Sequence, residues 1–200
     1  VDCMTVTDVN VVKSAIFERP DDANKGTLGS LLCVCGSYGM AGAAVMSAKG
    51  ALRTGIGLAK CALPRSIYPI VAQTILESVY YSLSENADGR ISKVNVPFLV
   101  SESCKSSATL VGCGLGVCDD TLKIVFSLIE NSTTPLVLDA DALNCVAKQP
   151  EILLRKKAPI IITPHPGEMS RLTGLATPLV NAERERVALD FAQKYGVVTV

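Results

Sequence analysis

The fold of this chain is decided by the stretch Leu31-Leu-Cys-Val-Cys35-Gly36-Ser-Tyr-Gly39-Met-Ala-Gly42-Ala-Ala44. Its first five residues favour a buried strand, and the glycines that follow favour a turn. The pattern from Gly42 to Arg53 then predicts a helix with no acidic side chain in its first turn. Because no acid in its first turn neutralises the positive end of the helix dipole, we expect that end to bind an anion.

Two other interpretations of this first glycine turn remain open. Tight packing of the helix against the strand would also select glycine. A dinucleotide-binding fingerprint needs the spacing GxGxxG, whereas this turn has GxxGxxG. The next strand also ends Cys61-Ala-Leu-Pro64, without the acid that would hold a ribose. The turn alone therefore predicts close backbone approach, either to a ligand or to another element.

Short apolar runs alternate with helical patterns along the rest of the chain. This alternation predicts an α/β fold with a mostly parallel sheet and helices on both faces. No internal repeat or linker is found, so a single domain over 1–200 is expected. The predicted strands are Leu31–Cys35, Leu58–Ala62, Val79–Leu83, Thr109–Val111, Leu136–Leu138, Pro159–Thr163 and Val197 onward, and the predicted helices are Gly42–Arg53, Ser66–Gln73, Asp120–Glu130, Asp141–Ala147, Gly167–Leu172 and Pro178–Lys194.

The composition excludes several classes of protein. Of the 200 residues, 48% are apolar and 19% are charged, which excludes a disordered chain. The formal net charge is zero with no long run of one sign, so neither nucleic acid nor an anionic membrane is an expected partner. Aromatic residues make up only 4% and Trp is absent, which argues against a stacking platform for single-stranded nucleic acid.

Cysteines and one uncharged segment need separate interpretation. The eight cysteines are scattered, with no CxxC pair and one histidine in the chain, so we expect buried hydrophobic thiols in a reducing cytoplasm. The residues from Gly26 to Ala48 carry no charge over a membrane-spanning length. Their five glycines and three serines favour a strand, a turn and a helix instead, and no signal peptide precedes them.

A second glycine turn, Val111-Gly-Cys-Gly114-Leu-Gly116, also follows a β-type run and precedes a helical pattern. Alternate residues without side chains suit close backbone approach to a phosphate or a sugar. We therefore interpret Gly112 and Gly116, with Gly39 and Gly42 of the first turn, as phosphate-binding glycines. The alternative is a tight turn that needs left-handed residues.

Acidic residues follow the strand at Leu136–Leu138, in the run Asp139-Ala-Asp141-Ala-Leu-Asn144. Open α/β sheets bind ligands at the carboxyl ends of their strands. Asp141 is a good N-cap, with Asn144 at the third position of the helix, so we assign Asp141 to capping. Asp139 is then the acid expected to face a ligand.

The lone histidine lies in Thr163-Pro-His165-Pro-Gly-Glu168, which also leaves a strand at its carboxyl end. The two prolines stiffen the backbone beside His165 and hold the imidazole at the rim of the sheet. Glu168 could serve a ligand or simply favour the N-terminus of the next helix. All four clusters therefore fall at one edge of one sheet, which predicts a ligand site with phosphate-compatible walls.

The combined motifs resemble the NAD(P)H-hydrate dehydratase family, whose domain has the ribokinase-like three-layer α/β/α fold. The resemblance runs from about Val6 to Val200, and its motifs are Lys25-Gly-Thr, GSYGMAGAAVMSAKGALRTGIGL from Gly36, GCGLG from Gly112, VLDADALN from Val137 and TPHPGEMSRLTG from Thr163. It implies dehydration of the S epimer of hydrated NADH or NADPH, with ADP or ATP as phosphoryl donor and Mg²⁺. The activity implied is that of a lyase in metabolite repair.

The resemblance also implies roles for individual residues. Ala43, Gly114 and His165 match positions that bind the hydrate, and we place Asp139 and Asn144 on the substrate side with them. The segment from Thr163 to Glu168 also resembles the TPNxxE segment of related kinases, whose glutamate helps organise Mg²⁺, so we expect Glu168 to act on Mg²⁺ through water. The family's catalytic aspartate lies in a GTGD-type segment that follows a KGxxT segment, and neither is among these 200 residues.

That departure leads to further expectations. The chain stops at Val200 inside an apparent buried strand, so we expect a truncated domain that is inactive alone. The resemblance implies a homo-oligomer, often a tetramer, and an epimerase fused to it or paired with it. Two other functions stay open: a ribokinase-like kinase of a small hydroxymethyl compound or vitamin precursor, and a non-catalytic nucleotide-binding remnant.

Overall fold

A computed structural model describes residues 8–15 and 26–200, so Cys3 and Lys25 lie outside the described residues. Seven strands form one sheet in the order β3-β2-β1-β4-β5-β6-β7, and every neighbouring pair is parallel. The strands are β1 (Ser30–Val34), β2 (Leu58–Pro64), β3 (Val79–Leu83), β4 (Ala108–Val111), β5 (Leu136–Leu138), β6 (Ile160–Ile162) and β7 (Val198–Thr199). All seven predicted strands are therefore confirmed, with shifts of one or two residues at their ends.

Helices connect the strands and cover the sheet. They are α1 (Val9–Ala15), α2 (Ala41–Arg53), α3 (Tyr68–Thr74), α4 (Val96–Cys104), α5 (Asp119–Asn131), α6 (Asp141–Val146), α7 (Pro166–Thr173), α8 (Thr177–Ala182) and α9 (Arg184–Tyr195), with 3₁₀ turns at Lys93–Asn95 and Pro150–Arg155. None of the described helices is long and apolar enough to cross a membrane.

The alternating side chains of β1 show why the fold has three layers. Cys33 and Cys35 face a smaller core that also holds Ala44 and Ala48 of α2. Leu32 and Val34 point to the opposite face, into a larger core built with residues of α4 and α5. Because successive side chains of a strand alternate between faces, β1 is buried on both sides. The expected α/β/α sandwich is confirmed.

One helix prediction was wrong, and two helices were not predicted. The pattern at Pro178–Lys194 predicted one helix, but the backbone leaves helical geometry at Glu183 (φ −130°, ψ 39°) and divides it into α8 and α9. Val180 and Val187 are both buried on either side of the break, so the hydrophobic spacing cannot reveal it. The helices α1 and α4 were missed, although Pro97 in the first turn of α4 is a helix-start signal.

The cysteines are only partly as expected. Among the described residues, all seven cysteines are free. Cys33, Cys35, Cys61 and Cys145 are buried, whereas Cys104, Cys113 and Cys118 are partly exposed. Burial raises the pKa of the Cys61 and Cys145 thiols to about 11, so those two are unreactive.

Candidate functional site

The sheet has one point at which its connections diverge, between the neighbouring strands β1 and β4. The chain leaves β1 toward β2 on one side, and leaves β4 toward β5 on the other. Val34 and Val111 are partners in the register of this pair, so the two glycine turns leave the sheet side by side. In open α/β sheets, ligands bind in the crevice outside the carboxyl ends of such strands.

The first glycine turn ends in an open helix N-terminus. Gly36 has φ +83°, and a Cβ there would lie 2.8 Å from Ile67 Cδ1, so packing selects this glycine. Gly39 and Gly42, in contrast, have no neighbouring atom within 4 Å of where a Cβ would lie. The N-cap residue of α2, Met40, makes no side-chain cap, and the first turn has no acid. The backbone N–H groups at this end can therefore donate hydrogen bonds to an anion.

The second glycine turn is enclosed by protein. Gly112, Gly114 and Gly116 all have positive φ, which confirms the tight-turn alternative as a description of the backbone. A Cβ on Gly114 would lie 2.7 Å from the Cβ of Ala43, so this glycine permits the N-terminus of α2 to pack against the turn. Carbonyl oxygens of the turn also accept from the first turn: Cys113 O from Gly36 N–H and Gly114 O from Ser37 Oγ, each at 2.8 Å.

The acids after β5 hold neighbouring loops together. Asp139 accepts from Thr163 Oγ1 at 2.9 Å through Oδ1 and from Cys113 Sγ at 3.4 Å through Oδ2. It therefore links the second glycine turn to the loop that carries His165.

The capping role expected of Asp141 was wrong. The helix α6 begins at Asp141 itself, so the N-cap position belongs to Ala140, which has a positive φ of 50°. Asp141 Oδ2 instead accepts from Gly116 N–H at 2.8 Å. Asn144 accepts from Arg171 Nη1 at 3.0 Å and joins α6 to α7. Asp141 therefore stabilises the second glycine turn through its hydrogen bond from Gly116 N–H.

His165 and Glu168 form a reciprocal cap at the start of α7. His165 Nδ1 accepts from Gly167 N–H at 3.0 Å, and Glu168 Oε2 accepts from His165 N–H at 2.9 Å. The His165 side chain is 62% exposed, while that of Glu168 is 7% exposed. The imidazole lies exposed at the rim with Nε2 3.3 Å from Glu168 Oε1, and the carboxylate is committed to the helix N-terminus, which was the structural alternative for Glu168.

The predicted site residues lie at one edge of the sheet, although they are not all in contact. Ala43 and Gly114 touch, and Asp139, Asp141 and Asn144 connect the second glycine turn to β6 and α7. His165 follows β6, two strands from β4, which places it about 10 Å away along the sheet edge. A ligand that reaches from α2 to His165 must therefore be elongated.

Sequence reasoning missed two contributors to this edge. The hairpin turn Asn86–Arg90 crosses both glycine turns: Gly89 O accepts from Tyr38 N–H at 2.9 Å, and Arg90 Nη1 donates to Val117 O at 3.5 Å. The run Asn86-Ala-Asp-Gly89 is a turn signal that could have located it. Cys113 was interpreted only as a packing residue, although its thiol contacts Asp139.

Two clefts flank this edge. One of about 390 Å³ is lined by Tyr38, Ser66 and the turn from Glu85 to Gly89. Another of about 220 Å³ lies beside Pro164 and Pro166, which bracket His165. The edge thus has room for a ligand on both sides of the glycine turns.

The residues fit an anionic ligand better than a directly bound metal. Among the described residues, no group of three His, Cys, Asp or Glu side chains could hold a metal ion. Glu168 is nearly buried and already bonded, so it could act on Mg²⁺ only through water. The open glycines at Gly39 and Gly42 fit the phosphates of a nucleotide.

Comparisons with known proteins identify the family of this chain. The profile of the NAD(P)H-hydrate dehydratase family (Carb_kinase) matches residues 31–200. The chain is 38% identical over 88% of its length to the bifunctional NAD(P)H-hydrate repair enzyme Nnr of Thermofilum pendens, and covers 34% of that protein. It is 30% identical over 91% of its length to the ADP-dependent (S)-NAD(P)H-hydrate dehydratase of Neisseria meningitidis, and covers 58% of it. The chain therefore spans about a third of the bifunctional relatives it matches.

Solved structures give the same result for the fold. The ADP/ATP-dependent NAD(P)H-hydrate dehydratase of Bacillus subtilis, co-crystallised with ATP and Mg²⁺, superposes with a TM-score of 0.76 at 27% identity. That match covers 96% of this chain and 64% of the other. A ribokinase-like protein of Enterococcus faecalis superposes with a TM-score of 0.73 at 20% identity, over 92% of this chain and 61% of the other. The ribokinase-like architecture expected from the sequence is confirmed.

Proposed function

This chain belongs to the NAD(P)H-hydrate dehydratase family, and we propose that its site serves nucleotide-dependent dehydration of the S epimer of hydrated NADH or NADPH. The protein is then a lyase in metabolite repair, with ADP or ATP as phosphoryl donor. The observation that carries the proposal is the open N-terminus of α2 packed against Gly114, where β1 and β4 diverge. Elongated dinucleotides match the distance from there to His165.

The chemistry explains why a nucleotide is consumed. Hydroxide is a poor leaving group at neutral pH, whereas a phosphate ester leaves readily. The ring hydroxyl loses its proton as its oxygen takes the terminal phosphoryl group, and AMP or ADP departs. The C–O bond then breaks, phosphate leaves with the bonding electrons, and a proton lost from the neighbouring ring carbon restores the double bond.

Phosphate binding falls to the glycines in this proposal. Gly39 and Gly42 leave backbone N–H groups and the dipole of α2 accessible to a pyrophosphate, which both the hydrate and the nucleotide carry. Gly112 and Gly116 have no such open face, because the turn after β5 and Arg90 lie against them. Their contribution would be to shape the second turn.

Substrate binding falls to Ala43, Gly114, His165, Asp139 and Asn144. Ala43 and Gly114 form the floor where the two turns meet. The backbone of α7 holds Nδ1 of His165 as an acceptor, so Nε2 is the donor. In this proposal Nε2, which lies 3.3 Å from Glu168 Oε1, turns from that carboxylate to the hydrate. Asp139 and Asn144 would orient the floor through Cys113 and Arg171.

Mg²⁺ and the phosphoryl donor would act only when both are bound at the site. Mg²⁺ would supply positive charge at the transferred phosphoryl group. Glu168 would influence its water shell while keeping the first turn of α7 in place. No residue of this chain is proposed as the catalytic base, because the family's GTGD-type aspartate is not among these residues.

We also propose a partner enzyme, a cellular location and an oligomeric state. Bifunctional repair enzymes among the relatives support a fused or paired epimerase. We propose a cytoplasmic location, since both hydrated cofactors arise where NADH and NADPH are used. A homo-tetramer is proposed from the family resemblance, and light scattering of the whole protein tests it.

One assay tests this function against the two alternatives. The full-length protein is supplied with hydrated NADH, Mg²⁺ and either ADP or ATP, and absorbance of the reduced nicotinamide ring is followed. Recovery that depends on the nucleotide supports the dehydratase. Phosphorylation of a sugar or vitamin precursor without recovery would establish the kinase, and binding without turnover would establish the remnant. The family match favours the dehydratase over both.

A further inference from the structure

Four cysteines gather where β1 meets its two neighbours. Cys33 and Cys61 are direct partners in the register of β1 and β2. Cys35 follows the last residue of β1, lies in the same core as Cys33 and is fully buried. Cys113 lies between Gly112 and Gly114 of the second glycine turn and is partly exposed. None of these thiols takes part in a bond-making or bond-breaking step of the proposed chemistry, although Cys113 contacts Asp139.

Cys35 and Cys113 are in contact. The backbone N–H of Gly36, which follows Cys35, donates to Cys113 O at 2.8 Å. The Cys113 side chain packs against the buried cluster that holds Cys35, Cys33 and Cys61. Cys113 Sγ also lies 3.4 Å from Asp139 Oδ2. Adjacent backbones and side chains packed in one cluster are what a disulfide needs to form without a large chain movement.

The two thiols differ in reactivity. The hydrogen bond from Cys35 holds the pKa of Cys113 below its ordinary value, since it stabilises the thiolate. The same hydrogen bond and burial raise the pKa of Cys35. Asp139 opposes the effect on Cys113 but does not reverse it. Because the thiolate is the form that oxidants attack, Cys113 is the reactive member and Cys35 the resolving member.

We propose that Cys35 and Cys113 are a peroxide-sensitive pair whose disulfide closes the site between the two glycine turns. The Cys113 thiolate attacks hydrogen peroxide, takes one oxygen to become a sulfenic acid, and water leaves after the second oxygen is protonated. Cys35 sulfur then attacks Cys113 sulfur, and the displaced hydroxyl leaves as water with the Cys35 proton. Both sulfurs are oxidised and the peroxide is reduced to two waters.

A disulfide between Cys35 and Cys113 would disturb the site, because Cys113 and its neighbour Gly114 already make close contacts that the bond would change. Drawing Cys113 toward Cys35 removes its contact with Asp139. It also moves Gly114, whose α-carbon already packs too closely on Ala43 for any side chain. Oxidised protein should therefore bind a hydrated dinucleotide less tightly. This functional consequence rests on the proposed function, whereas formation of the bond does not.

The experiment treats full-length protein with hydrogen peroxide, blocks free thiols by alkylation, and maps non-reduced tryptic peptides by mass spectrometry. The peptide with Cys35 also contains Cys33, and the peptide with Cys113 also contains Cys118. Cys33→Ser and Cys118→Ser are therefore matched controls. We expect a linked pair, lighter by two hydrogens, in wild type and both controls. It should be absent from Cys35→Ser and Cys113→Ser.

Binding supplies the second readout. Affinity for hydrated NADH should fall about tenfold or more on oxidation and return with dithiothreitol, since small displacements in a site have large effects. In Cys35→Ser, peroxide should give sulfenic or sulfinic acid at Cys113 instead. A link that joins Cys33 to Cys61, or no link at all, would overturn the pair. A linked pair with unchanged affinity would overturn closure of the site.

Discussion

Ala43 and Gly114 meet at the point where the two glycine turns leave the sheet: a Cβ on Gly114 would lie 2.7 Å from that of Ala43. Each residue comes from a different crossover, one after β1 and one after β4. Their contact joins the positive end of α2 to the second turn. A ligand that binds one turn must therefore also contact the other.

Gly114→Ala tests this contact. The substitution adds a methyl group where there is no space and also forces alanine into positive φ. Backbone strain alone should cost about 1–2 kcal/mol, and overpacking should add about 1–3 kcal/mol. Urea unfolding measures the stability, and titration with hydrated NADH measures the binding.

Gly174→Ala is the matched control, because Gly174 has a similar φ of +75° but no atom within 4 Å. It should show the backbone cost without loss of binding. Equal effects of the two substitutions on binding would mean that the contact with Ala43 has no part in the site.

His165→Ala should weaken binding of the hydrate more than binding of ADP or ATP. The exposed imidazole is placed on the substrate side, although its removal also costs about 1 kcal/mol of helix capping. His165→Asn retains a capping side chain and should restore stability without restoring affinity for the hydrate. Isothermal titration with each ligand separates the two; equal losses for both ligands refute the substrate-side role.

Asp141→Ala should release the second glycine turn. It removes the acceptor of Gly116 N–H, a loss of about 1–3 kcal/mol if that N–H stays buried without a partner. Asp190→Ala, at an exposed position of α9, should change stability by less than about 0.5 kcal/mol. Thermal unfolding compares them, and similar midpoints would show that Asp141 does not support the turn.

The sequence predicted the strands and the shared edge because apolar runs and glycine turns are local signals. It failed where the deciding contact is remote in the chain. Asp141 resembles an N-cap locally, but the turn at Ala140 directs it to Gly116. The enclosure of Gly112, Gly114 and Gly116, compared with the open Gly39 and Gly42, likewise depends on what packs against each turn. Spacing alone cannot distinguish a glycine that faces a ligand from one that faces protein.

The buried carboxyl group of Glu102 predicts how the free energy of unfolding changes at low pH. Glu102 of α4 is 11% exposed and bonded to Lys105 at 3.0 Å and Tyr81 Oη at 2.9 Å, with Lys60 at 3.7 Å. The hydrogen bond from Lys105, with those of its other partners, holds the Glu102 pKa below its ordinary value. The folded state thus binds the proton less readily than the unfolded state, so stability is fully present above the unfolded pKa of about 4.3.

This stability should be lost as the pH falls through the folded pKa of Glu102. Relative to Glu102→Gln, wild type should be more stable by about 1.5–3 kcal/mol at neutral pH. Urea unfolding over a pH series should show that advantage shrinking below about pH 4.3. A difference that stays constant across the series would contradict the assignment.

The most direct measurement is titration of isotopically labelled full-length protein with hydrated NADH, observed through its backbone amide resonances. The account predicts that Gly39, Gly42 and Gly114 shift together, with one dissociation constant, and that His165 follows them. Shifts confined to residues around Phe191 and Tyr195, where a cavity of about 230 Å³ lies between α7 and α9, would contradict it.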